Sequence, residues 1–215
     1  MRAVRFNLHG IVVLSLLAMT LTGCFGTSQP SRFYTLSSPA QTQPNTAPAG
    51  PLVPVAVGPV SVPDYLDRQE IVTRISQNEM RVNDFERWAG SFGGNLSRAF
   101  IDDISTLLSP DGFSVMRWNP AMQVEAPRYR VAVEITRFDV TPGGAIDLEA
   151  DWTLYGRDRN IVLFRKSDIR GNAAGKQFTD LVAAMSKAVE DLSREIADEV
   201  RAQGGGPATA NKPQP

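Results

Sequence analysis

Apolar residues recur along this chain at two different periods, and the switches between them mark out its elements. Phe92, Leu96, Phe100, Ile104 and Leu107 fall three and four residues apart, which predicts a helix over Ser91 to Leu108 with one apolar stripe. Pro110, Asp111 and Gly112 stop it. A longer stripe of the same period, Phe178, Leu181, Val182, Met185, Val189, Leu192, Ile196 and Val200, predicts a final helix closed at Gly204 to Gly206. Between the two helices the period drops to two. Tyr129, Val131, Val133 and Ile135 alternate with polar or small residues, and the apolar phase then shifts to Phe138 and Val140, as a β-bulge would produce. Ile146, Leu148, Ala150, Trp152 and Leu154 alternate with Asp147, Glu149, Asp151, Thr153 and Tyr155, and Ile161 to Ile169 returns after a turn at Asp158 to Asn160.

Ahead of the first helix the strands are shorter. Phe33 to Leu36 reads as a brief strand, Phe113 to Trp118 as another, and Ile71 to Ile75 with Met80 to Asn83 as a hairpin turning at Gln77-Asn78, with asparagine available for positive φ. Leu52 to Val62 is a strand interrupted by Pro54 and Pro59, so it is expected at a sheet edge or kinked at Gly58-Pro59. Pro63 to Asp67 reads as a turn or single helical turn. Two one-sided helices and six to eight strands, mostly in hairpins, need one another's apolar faces. The expected fold class is α+β, a largely antiparallel β-sheet with two main helices packed on one face.

The first residues follow neither period. Arg2 and Arg5 precede an apolar run from Ile11 to Leu21, then Thr22, Gly23 and Cys24, the order of a secretory signal with its cleavage site. The run is shorter than the roughly 20 residues that span a bilayer. A cysteine straight after Leu21-Thr22-Gly23 resembles the lipobox of bacterial lipoproteins, in which that thiol is acylated and becomes the new N-terminus. The expected organisation is a signal peptide over 1–23, a lipidated tether over 24–32 carried by Cys24, one α+β domain over 33–203 with a flexible loop at 37–51, and a disordered tail over 204–215. Acyl chains contribute about 0.8 kcal/mol per buried methylene, so two or more hold a protein on a membrane. Phe25, where an aspartate would favour the inner membrane in that class, points to the periplasmic face of the outer membrane. If Phe33 already pairs into the sheet, the tether reaches about 25 Å when fully extended and keeps the folded body close to the surface; if Phe33 to Leu36 is disordered, tether and loop merge and the body stands further out.

Composition narrows the chemistry further. The formal net charge is −1, and loss of Arg2 and Arg5 with the signal makes the remainder more acidic, so no nucleic-acid partner is expected. His9 is the only histidine and Cys24 the only cysteine. With His9 removed and Cys24 acylated, Ser-His-Asp and Cys-His catalysis and His- or Cys-based zinc sites are excluded, and neither cofactor, metal nor catalytic residue is expected. Asp147, Glu149 and Asp151 form a carboxylate row that could serve a metal or a glycosidase-like pair. Arg130, Arg137, Arg165 and Lys166 in neighbouring strands make cross-strand pairing on a solvated face the simpler account. Tyr65, Leu66, Arg68, Arg87 and Trp88 are the densest group of interface-type side chains outside the evident core, and form a candidate partner interface.

Residues 62 to 75, Val-Pro-Asp-Tyr-Leu-Asp-Arg-Gln-Glu-Ile-Val-Thr-Arg-Ile, followed by Arg87-Trp88, resemble the PqiC-type lipoproteins. Phe33 to Leu36 after the lipobox, Phe113 to Arg117, Met185-Ser186 and Leu192 to Ala197 agree with that family, so the resemblance covers about Phe33 to Val200. One departure is Gly90-Ser91-Phe92-Gly93-Gly94, where an acidic residue and a proline are expected. The resemblance implies a non-catalytic lipoprotein subunit held at the outer membrane, docking the periplasmic end of an MCE-domain protein and its associated inner-membrane transporter, so that lipid or another apolar molecule passes between membranes. A homo-oligomer would suit the end of a tunnel. The alternative is a stand-alone envelope lipoprotein that stabilises an outer-membrane or cell-wall complex.

Overall fold

The computed structural model describes residues 29–38, 51–120 and 127–204. The chain divides into Met1–Pro30 and Ser31–Pro215, and the architecture below is that of the second unit. The expected signal peptide, Cys24, most of the tether, most of the 37–51 loop and the tail beyond Gly204 lie outside the described residues.

In chain order the elements are β1 (Arg32–Tyr34), β2 (Val53–Ser61), β3 (Glu70–Ser76), β4 (Glu79–Trp88), α1 (Phe92–Leu108), a 3-10 turn (Ser109–Asp111), β5 (Phe113–Arg117), β6 (Tyr129–Val140), β7 (Ala145–Gly156), β8 (Ile161–Asn172) and α2 (Phe178–Gly204). The fold is α+β, as the periods predict, but the strands form two sheets: a three-stranded one in the order β1-β4-β3 and a five-stranded one in the order β5-β2-β6-β7-β8. The long pairings β3-β4, β6-β7 and β7-β8 are antiparallel. The short β1-β4 and the β2-β5 and β2-β6 pairings are parallel.

The alternating apolar residues of β6 and β7 are all buried, and with Val55 and Val57 of β2 they floor the core. Both helices lie on that floor, α1 along β2 and β5, α2 across β6, β7 and β8, and each also packs on the other. Leu96, Phe100 and Ile104 of α1 and Val189, Leu192 and Ile196 of α2 are fully buried between helices and sheet. Each such side chain contributes about 1.5–3 kcal/mol relative to exposure. The register of β6 against β7 shifts between Ile135 and Arg137, the bulge expected there. Past it Phe138 and Val140 face the core.

Two expectations are corrected. β2 is an interior strand, between β5 and β6, and not an edge. Its prolines are tolerated because neither stands where a ladder donor is needed. Pro54 precedes the first β6 pairing, Val55 with Tyr129, and its carbonyl accepts from the Arg128 amide at 2.8 Å. Pro59 falls inside the register shift between Val57 and Val60, the kink that was the other half of the expectation, and the Gly58-Pro59 peptide is cis. At Gln77-Asn78 the hairpin closes without a positive φ. Among the described residues the non-glycine with positive φ is Arg159, in the β7-β8 turn.

β1 does pair, along Glu86 to Trp88 of β4, so the strand expected just after the tether belongs to the folded body. Tyr34 is buried there, and its hydroxyl donates to Glu86. Burial first and that hydrogen bond second push the Tyr34 pKa up to about 12. At the opposite end of the molecule, the Tyr129 hydroxyl donates to the Gln203 carbonyl at 2.8 Å and pins the last turn of α2 to β6.

Candidate functional site

The five residues read as a partner interface do not form one surface. Leu66 and Trp88 are core residues, 6% and 3% exposed. The Trp88 ring stacks on Phe92 at 4.9 Å, and Phe92 in turn meets Phe138 at 5.7 Å, which couples the small sheet, α1 and β6. An aromatic residue next to arginine is the signature of an interface and of a strand end turning into a core alike, and here burial selects the core. Arg68 and Arg87 flank Glu70, at 3.1 and 2.7 Å. The Glu70 carboxyl is held below its usual range by its own backbone amide and then by Arg68. Tyr65 is partly exposed, and burial together with the charge of Asp139 raises its pKa. The candidate interface therefore shrinks to Tyr65, Arg68 and Arg87.

The carboxylate row lies on the face of the five-stranded sheet opposite the helices. Arg137 reaches Asp147 and Glu149 at 3.2 Å each, and Lys166 reaches Asp151 at 2.8 Å. This is the cross-strand pairing expected for Arg137 and Lys166. The other two cations go elsewhere: Arg165 pairs with Glu199 of α2 at 2.5 Å, and Arg130 is held by aromatic rings. Among the described residues no group of three or more His, Cys, Asp and Glu is arranged to hold a metal ion.

The glycine-rich start of α1 builds an open pocket of about 300 Å³, lined by Thr35, Gly90, Ser91, Asn95 and Arg98 among others. Ser91 caps the helix, its Oγ accepting from the Gly94 amide at 3.1 Å. Gly94 is needed for this, since a Cβ there would come within 2.9 Å of that oxygen. The departure from the PqiC-type pattern is thus compatible with a capped helix. The polar lining is already engaged: Arg98 donates to Asn95 Oδ1 at 3.2 Å, and Asn95 Nδ2 donates to the Ser91 carbonyl at 3.0 Å.

Two arrangements were not read from the sequence. Asp139, 3% exposed, takes ion pairs from Arg74 of β3 and Arg137 of β6. Trp118, Arg130 and Tyr155, separated widely in sequence, form a stack on the open sheet face. The only available signal was the strand register, since Arg130 and Tyr155 stand on the polar phases of β6 and β7. Trp118, at the end of a short strand, carries no such signal.

No curated protein matches the sequence. Two crystal structures share its fold. One, of an uncharacterized protein, superposes with a TM-score of 0.66 at 19% identity over 80% of this chain and 99% of its own. The other, of protein XCC0632 from Xanthomonas campestris, a DUF330 protein, gives a TM-score of 0.62 at 17% identity over 81% of this chain and 97% of its own. At such identities the likeness extends to the fold alone. The family profile for the ABC-type transport auxiliary lipoprotein component matches residues 34–197, which takes in β1, both sheets, α1 and most of α2. That is the PqiC-like grouping indicated by residues 62 to 75 with Arg87-Trp88. The chain therefore belongs to the family of ABC-type transport auxiliary lipoprotein components.

Proposed function

We propose that this protein is the outer-membrane-anchored subunit of an MCE-type intermembrane transport system, and that it works as a non-catalytic docking piece. In this reading Cys24 carries the acyl chains, and the body docks the periplasmic end of an MCE-domain protein whose inner-membrane transporter supplies the energy. Lipid or another apolar molecule is the cargo. The observation that carries the reading is the lipobox-like Leu21 to Cys24 placed ahead of a domain of the transport auxiliary family. The seven residues from Phe25 to Ser31 give the tether, and β1 starts at Arg32, so the anchor and the sheet are within about 25 Å of chain. Passing an apolar molecule along a route needs walls and contacts and no reactive group, which agrees with a chain whose only histidine and only thiol lie in its first 24 residues.

The test is affinity purification of the full-length protein from detergent-solubilised envelope, with mass spectrometry of both the mature N-terminus and the co-purifying chains. A triacylated or diacylated Cys24 in the outer-membrane fraction, together with an MCE-domain partner, is the expected result. An unmodified N-terminus sinks the anchor. A barrel protein or peptidoglycan in place of the transport partner favours a stand-alone assembly lipoprotein.

A further inference from the structure

The sheet face that the helices leave open has two halves of different chemistry. Towards the β6-β7 turn its cations are all paired with carboxylates: Arg137 with Asp147 and Glu149, Lys166 with Asp151, and Arg170 with Asp168 at 2.8 Å. Arg130 stands at the other end. Its guanidinium carbon lies 4.1 Å from the centre of the Tyr155 ring and 4.9 Å from that of Trp118. Among the described residues no carboxylate pairs with it, unlike Arg137, Lys166 and Arg170 on the same face.

The stack is built by backbone geometry. Arg130 and Tyr155 are directly opposite in the β6-β7 ladder. Trp118 is fixed by its amide, which donates to the Val57 carbonyl at 2.8 Å, and it lies against Gly58, where a Cβ would come within 3.2 Å of the tryptophan Cβ. The next strand continues the row. Ile161 is opposite Tyr155 and Phe164 opposite Thr153, and these two side chains are 64% and 54% exposed. With strands about 4.8 Å apart and a rise of about 3.4 Å per residue, a pinned cation and two exposed apolar side chains lie within roughly 12 Å of one another.

We propose that this patch is the surface that grips the transport partner, and that it takes an acidic segment of that partner: a carboxylate on the Arg130 fork, with a neighbouring apolar side chain over Ile161 and Phe164. The inference rests on the docking role proposed above and names its surface. A cation–π contact takes up a face of a guanidinium and uses none of its in-plane N–H donors, which suits bidentate capture of a carboxylate. Because the rings already hold the fork, little rotamer freedom remains to be lost on binding. Trp, Tyr and Arg are also the residue types that dominate interface energetics. A flat sheet face offers no enclosure for an acyl chain, so a protein segment fits better than a lipid tail.

The test places a photo-crosslinking phenylalanine analogue at position 164 of the full-length, membrane-anchored chain and maps the cross-linked peptide by mass spectrometry. The expected product joins position 164 to a periplasmic segment of the transport partner containing Asp or Glu. Arg130→Glu lowers its yield at least tenfold, and Arg130→Lys restores only part of it. Exchanging the mapped carboxylate for arginine lowers the yield with this chain unaltered, and restores it when combined with R130E. Thermal melts of the Arg130 variants check that the fold is intact, and the partner-side exchange decides the matter if they are not. A yield indifferent to both exchanges, a mapped peptide without a carboxylate, or a cross-link to lipid or to a second copy of this chain overturns the proposal. If the transport partner still co-purifies in that case, the docking role stands and only this surface falls; if it never co-purifies, both fall.

Discussion

Arg74 on β3 donates through Nε to Oδ2 of Asp139 on β6 at 2.5 Å, and this ion pair joins the small sheet to the large one. Arg137, two residues before Asp139 on its own strand, donates to the same oxygen. A carboxylate 3% exposed thus has two cations, each partly open to water. The Asp139 hydrogen bond raises the pKa of both arginines above the ordinary value.

Redundant partners predict a non-additive cycle. Arg74→Ala or Arg137→Ala alone leaves Asp139 one counter-charge and costs about 1 kcal/mol, whereas the double replacement strands a buried charge and costs on the order of 3–5 kcal/mol. Urea unfolding of the four proteins measures the coupling. A double mutant no worse than the sum of the singles would show that the carboxylate is solvated.

A second buried carboxylate has a pH signature. Asp103 of α1, 2% exposed, faces α2, where Ser193 Oγ donates to its Oδ2 at 3.4 Å. Burial, opposed by hydrogen bonds from Ser38 and Ser193 and reinforced by Glu190, raises its pKa from 3.8 to about 6. Between those values the folded protein holds a proton that the unfolded chain has released. Its stabilising contribution is therefore complete below pH 3.8 and lost as pH rises through about 6. Asp103→Asn is expected to stabilise by about 2 kcal/mol at pH 7.5, with the gain shrinking towards zero near pH 4. Melting curves of both proteins across that range check it, and a gain independent of pH would contradict it.

Trp152 and Ser167 tie β7, β8 and α2 into one polar chain. The indole Nε1 donates to Ser167 Oγ at 3.0 Å, and that hydroxyl donates to Glu195 Oε2 at 2.6 Å. Ser167→Ala leaves the indole N–H, buried within the core, without its acceptor. The expected cost is about 1–3 kcal/mol, read from chemical denaturation.

Trp88 and Arg68, two members of the candidate interface, are expected to part company under mutation. Trp88→Ala empties a core site stacked on Phe92 and should cost about 3–5 kcal/mol. Arg68→Ala removes a surface ion pair with Glu70 and should cost less than about 1 kcal/mol. Comparable losses from the two would return Trp88 to the surface.

The sequence by itself determined the elements that bury one face. The stripes of α1 and α2, the alternation of β6 and β7, and even the bulge after Ile135 were legible, because a side chain's direction follows from helical or strand period alone. Its chemistry was equally local: a cysteine after Leu21-Thr22-Gly23, and no histidine after His9. What only the tertiary structure decided was adjacency between distant segments. β2 runs inside the sheet because β5, more than fifty residues later, lies along its open side. Trp88 is core because Phe92, which itself meets Phe138, stacks on it, and Arg130 is a held cation because the rings of Trp118 and Tyr155 come to 4.9 and 4.1 Å from it. Period reports which way a residue points, while pairing and packing between remote strands set what it meets there.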